Sequence, residues 1–124
     1  MSQRTRRGLI FLGMLFVPAI LGAFALEGLL EPVQGMIDAV ERVAAMAGSE
    51  TKIIPGHGPL ADKKALMAYR TMLETAQVRL SKLKREGKSA SEAVAAKPLS
   101  DLETEWGGGF LPTDKWISIV YDGV

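Results

Sequence analysis

The stretch from Thr51 to Asp62, TKIIPGHGPLAD, limits what this chain can fold into more than any other. Ile53 and Ile54 are adjacent, so both faces of the strand they predict are apolar. A strand of that kind normally lies inside a sheet covered on both sides. The body of the chain offers no convincing neighbouring strand. An unpaired buried strand leaves backbone donors and acceptors unsatisfied, at a cost in free energy for each group. The segment must therefore pair with another chain, pair with the N-terminal leader, or not form a strand.

Directly after the strand stand Pro55, Gly56, His57, Gly58 and Pro59. Proline fixes φ, and glycine admits backbone angles closed to other residues. A tight loop with one imidazole at its apex follows, and Asp62 then opens a long helix. His57 is the only histidine of the chain. Two readings of it stand side by side: a solvated side chain on a rigid turn, or a ligand or catalytic group.

The run IIPGHGP followed by a long helix resembles the C-terminal part of metallo-β-lactamase-fold hydrolases. The similarity runs from about Val33 to the C-terminus, through VQGMIDAVERV, LADKKALMAYRTMLETAQVRLSKLKREGKS and AAKPLSDLETEWGGGF to a last helix. The downstream arrangement resembles periplasmic or cyclase-like members. The resemblance implies a portion of a four-layer αββα sandwich, with His57 at a zinc-ligand position. In complete relatives, metal-activated water attacks an ester, thioester or amide. The family's H-x-H-x-D-H run, its middle histidine and its bridging aspartate are absent here. A catalytic zinc takes three protein ligands and a water, and the chain holds no second histidine and no cysteine. No catalytic residue is therefore assigned. Zinc is expected only if another chain, either the missing half of the domain or a second copy, completes the site.

Residues 1–32 form a distinct leader. Arg4, Arg6 and Arg7 precede an uncharged apolar run, residues 9–26, and Ala23-Phe24-Ala25 closes it with a small-x-small pattern. That order is the order of an export signal. The run is also just long enough to anchor in a bilayer, which implies membrane contact and a periplasmic or inner-membrane location. A third reading follows from the resemblance. Phe11 to Phe16 is then a degraded core strand, with Met14 where the family carries aspartate. A plain buried helix is the fourth.

Residues 33–124 read as mostly α with one or two short strands. Val33, Met36, Ile37, Val40, Val43, Ala44 and Ala47 follow helical spacing, and Asp38, Glu41 and Arg42 fall off that face as solvated charges. Leu66, Tyr69, Leu73, Ala76, Leu80 and Leu83 make a longer stripe between Asp62 and Gly87, which suit a helix start and stop. The basic cluster Arg79, Lys82, Lys84, Arg85 and Lys88 suits the end of the helix dipole. Ser89-Ala90-Ser91-Glu92 is a capping box that opens a short helix through Ala96. Lys97-Pro98 stops that helix. Trp106-Gly107-Gly108-Gly109-Phe110 reads as a flexible turn whose two aromatics clamp it to the core. It lacks the spacing of a phosphate loop. Pro112, Thr113 and Asp114 start a last helix with Trp116, Ile117, Val120 and Tyr121 apolar. By resemblance, this end edges a substrate channel.

The charge balance, 15 Lys and Arg against 14 Asp and Glu, gives no reason to expect nucleic acid. Beside the hydrolase fragment stands a second function class. It is an exported or membrane-anchored helical module that docks on a partner through its apolar stripe and has no catalysis.

Overall fold

A computed structural model describes the backbone of residues 9–12 and all of residues 31–124. Most of the expected leader, including the arginines, Met14 and the Ala23-Phe24-Ala25 pattern, lies outside the described residues. The described chain is mostly helical. Its elements run β1 (Leu9–Leu12), α1 (Pro32–Met46), β2 (Lys52–Pro55), α2 (Lys63–Arg85), α3 (Ala90–Ala95), α4 (Glu103–Trp106) and α5 (Thr113–Val120). A 3-10 turn, Ser100–Leu102, leads into α4, and another, Tyr121–Gly123, follows α5.

β1 lies parallel to β2, with Leu9 opposite Lys52, Ile10 opposite Ile53, Phe11 opposite Ile54 and Leu12 opposite Pro55. The partner is thus the chain's own N-terminal run. α1 lies in the connection, as parallel strands require a crossover. A second contact closes the other side of β2. Ile53 N donates to Ala61 O at 2.8 Å, and Ala61 N donates to Ile53 O at 2.9 Å. Ile53 is 1% exposed, whereas Ile54 is only half-buried, so one face of the strand is the core face.

Pro32 occupies the first turn of α1, where its missing N–H is no loss. Val33, Met36, Ile37, Val40 and Ala44 turn inward, while Asp38, Glu41 and Arg42 face solvent. Ala47 caps the helix in extended geometry, and Thr51 Oγ1 accepts the Gly48 N–H at 2.9 Å. That bond shapes the turn into β2.

Asp62 caps α2 by accepting the Ala65 N–H at 2.8 Å. Leu66, Leu73, Ala76 and Leu80 are buried along its inner face, and Tyr69 and Leu83 are half-buried at its margins. α1 and α2 pack face to face. Arg70 bridges Glu41 on α1 and Glu74 on its own helix, and Gln77 donates to Gln34 at 3.1 Å.

The segment after α2 folds back over that helix. Gly87 sits at φ +78°, a left-handed cap that glycine adopts without penalty. The Ser89–Glu92 capping box is complete: Glu92 N donates to Ser89 Oγ, and Ser89 N donates to the Glu92 carboxylate. Lys97, at φ +48°, reverses the chain before Pro98. Arg79 then clamps the return. It donates to Pro98 O at 2.9 Å and forks onto the Asp101 carboxylate. Lys84 donates to Asp122 O, and Tyr121 Oη donates to Lys88 O at 2.7 Å. Two cations of the basic cluster thus hold the C-terminal segment as well as lying near a helix end. One continuous core joins Ile53 to the inner faces of α1, α2, α3 and α5.

Two expectations are corrected here. The Trp106 to Phe110 segment is not all turn, because Trp106 ends a short helix, α4. Phe110 does not reach the core and is 64% exposed. The first follows from Gly107. Its N–H closes the last turn of α4 on Glu103 O at 2.8 Å, and any Cβ there would meet that carbonyl at 2.7 Å.

Candidate functional site

The PGHGP loop leaves the carboxyl end of β2 and is pinched shut by the Ile53–Ala61 pair. Pro55 ends the strand. Gly58 takes φ +144°, which is closed to most L-residues, and a Cβ there would lie 3.5 Å from Pro55 Cγ. Gly56, His57 and Gly58 are all exposed. The imidazole is therefore carried outward on a short, constrained loop.

His57 is not alone there. Its ring stacks on Phe110 with centroids 4.4 Å apart and planes within 10°. Offset or parallel stacking of flat rings is favourable and fixes ring orientation. Trp106, at the other end of the glycine run, meets Tyr69 of α2, with centroids 5.9 Å apart and planes tilted by 42°. Burial pushes the Tyr69 phenol well above its ordinary range, so it stays protonated, and its hydroxyl donates to Met36 Sδ at 3.9 Å. The two aromatics of the glycine run thus act in different places: Trp106 anchors on α2 and Phe110 holds the imidazole.

Two cavities flank this assembly and share His57, Trp106 and Gly109 in their walls. The larger, about 540 Å³, lies between the PGHGP loop, the start of α2 and α4, with Pro55, Leu66, Tyr69 and Glu105 among its walls. The smaller, about 110 Å³, lies behind the His57–Phe110 stack and reaches Met72, Leu99, Leu102 and Trp116.

As a metal centre the arrangement is incomplete. Among the described residues, no three His, Cys, Asp or Glu side chains come together as a metal site. Glu105 shares the larger cavity with His57 and Glu103 shares the smaller, and neither wall adds a further nitrogen ligand. The donors present do not by themselves fit a catalytic zinc, which needs three protein ligands.

The role of Phe110 was not readable in the sequence, because Phe110 and His57 are distant along the chain and no spacing rule links them. The one signal along the chain is that both segments set glycine beside a ring. The return of backbone pairing at Ala61 was equally hidden.

The chain matches no family model, no curated protein and no solved structure.

Proposed function

We propose that this chain is a C-terminal portion of a metallo-β-lactamase-fold hydrolase, and that His57 is its contribution to a zinc site shared with another polypeptide. The carrying observation is the position of His57: an exposed imidazole, oriented by Phe110, just past the carboxyl end of a parallel strand. In open α/β sheets, ligands bind outside the carboxyl ends of the strands. On this reading the chain does not hydrolyse substrate alone. The remaining ligands come from a chain carrying the missing half of the domain, or from a second copy.

The pairing of Leu9–Leu12 with β2 supports the reading of residues 11–16 as a core strand at Phe11 and Leu12 alone, since the rest of that run lies outside the described residues. Cleavage after Ala25 would remove β1 and expose the backbone edge of β2. The competing reading, an exported or membrane-anchored helical module in the periplasm or inner membrane, draws on Arg4, Arg6, Arg7 and the apolar run 9–26. No helix among the described residues is long and apolar enough to cross a membrane.

The test is complementation. The full chain and His57→Ala are each mixed with a half-domain that carries an H-x-H-x-D-H run, and zinc in the purified complex is measured. Near-stoichiometric zinc with the parent, lost with His57→Ala, is the expected result. Zinc retained by the variant complex sinks the proposal. Near-stoichiometric zinc in the unmixed parent points to self-association instead. An exported protein whose N-terminus is Leu26 turns the reading to the helical module.

A further inference from the structure

The larger of the two cavities combines apolar walls with a single sign of charge. At about 540 Å³ it falls within the roughly 300–1,000 Å³ of small-molecule pockets. Ile53 and Leu66, 1% and 4% exposed, line it, so it reaches from the exposed PGHGP loop down to the core. Pro55, Ala61 and Ala65 add hydrocarbon. Tyr69 and Trp106 add two rings, held against each other with centroids 5.9 Å apart and planes tilted by 42°. The Tyr69 hydroxyl, protonated and donating to Met36 Sδ, brings no charge to this wall. Among the described residues that line the cavity, Glu105 is the one carboxylate, and no Lys or Arg stands with it.

We infer that this cavity binds a small organic cation, a protonated amine carried on a flat apolar body. The body follows from the hydrocarbon and the rings. Removing apolar surface from water is favourable, and that gain is open to any molecule with such a body. The charge follows from what remains. Aromatic rings attract a cation over their faces, Trp most strongly. A carboxylate at the same cavity adds to that attraction, and a cleft lined by charge of one sign concentrates ions of the other. An anion would meet Glu105 with no Lys or Arg among these walls to offset it, and burying an unpaired ionised group is costly. An arylalkyl amine therefore fits, and the matching free acid does not. The inference needs no metal and gives His57 no ligand role, so it stands or falls separately from the zinc reading.

The experiment is an NMR titration of the full chain, following the backbone amides of Gly56, Gly58, Gly108 and Gly109, which all line the cavity. Working at about pH 8, above the ordinary range of an imidazole, keeps His57 from adding positive charge. The probes are 2-phenylethylamine, 2-phenylethanol and phenylacetate, each a ring on a two-carbon chain, carrying positive, no and negative charge. With the amine, the glycine amides move in a saturable way. The amine binds roughly 5- to 10-fold more tightly than the alcohol, the worth of a cation–π contact joined to an exposed ion pair. Phenylacetate binds more weakly than the alcohol. Glu105 is exposed, so Glu105→Gln spares the core. In that variant the margin of amine over alcohol narrows by about 2- to 3-fold, while the alcohol binds as before. Glycine amides that do not move with the amine overturn the inference, as does equal affinity of amine and alcohol for the parent. A Glu105→Gln variant that keeps the full margin overturns it too.

Discussion

The helical body and the loop pair that carries His57 are built on opposite terms. In the body, α1 and α2 meet along faces whose apolar residues recur every three or four positions, and Val33, Val40, Leu73 and Leu80 are completely buried. In the loop pair, the contact is between two exposed rings, His57 and Phe110, carried on segments rich in glycine and proline. Burial holds the first together, while constrained backbone holds the second in place. The body should therefore tolerate loss of the loop contact, whereas the loops cannot survive loss of the body that positions them.

The largest expected effect is in the body. Leu73→Ala deletes a side chain with no exposure at all, and should cost about 2–5 kcal/mol in urea unfolding. A loss below about 1 kcal/mol would show that this core collapses around the gap, and the contrast with the loops would weaken.

The joint between the two parts is the turn before β2. Thr51→Val keeps the shape but removes the acceptor of the Gly48 N–H. An unsatisfied, part-buried backbone donor should lower stability by about 1–2 kcal/mol. If hydrogen exchange at Ile53 and Ala61 is unaffected in this variant, the strand and its loop are set independently of the turn.

Ser89→Ala removes one half of the capping box and should cost about 1 kcal/mol, read as a lower thermal midpoint. Glu92→Gln tests the other half through pH. The Glu92 carboxyl is held below its ordinary value by the Ser89 backbone N–H first and the Ser89 hydroxyl second. The Asp101 carboxyl is lowered chiefly by its hydrogen bonds from Arg79. A carboxyl with a depressed folded value contributes stability above its unfolded value, and loses it as pH falls through the folded one. Thermal stability should thus decline from about pH 5 downward, across the ordinary carboxylate range, and Glu92→Gln should flatten part of that decline. An unchanged profile would mean that neither exposed carboxylate matters to the fold.

The smallest effect on stability belongs to the loops. Phe110→Ala and His57→Ala should each change unfolding free energy by less than about 0.5 kcal/mol, as exposed substitutions usually do. Yet Phe110→Ala should visibly shift the His57 ring protons by removing the ring current of its stacking partner. A stability loss comparable to that of Leu73→Ala would erase the distinction between the two parts.

The helices were legible along the chain because their evidence is local. The α1 and α2 stripes, the Asp62 cap, the Ser89–Glu92 box and the stop at Lys97-Pro98 each lie within a few residues, and the structure reproduces them. Helical hydrogen bonds join near neighbours, so the pattern that directs them is also near. The PGHGP loop was visible for the same reason, since proline and glycine act on their own backbone.

What required the folded chain was every relation between distant segments. Strand pairing exchanges hydrogen bonds across the sequence, so the partner of Ile53 is set by where α1 returns the backbone, and it proves to be Ile10. The reversal at Ala61, the Arg79 clamp on Pro98 and Asp101 and the His57–Phe110 stack are all of this kind. None has a periodicity to announce it. Each depends on tertiary packing, such as that of α2 against α1 and of α5 against α3, where burial, acting without direction, brings together groups that local rules cannot pair.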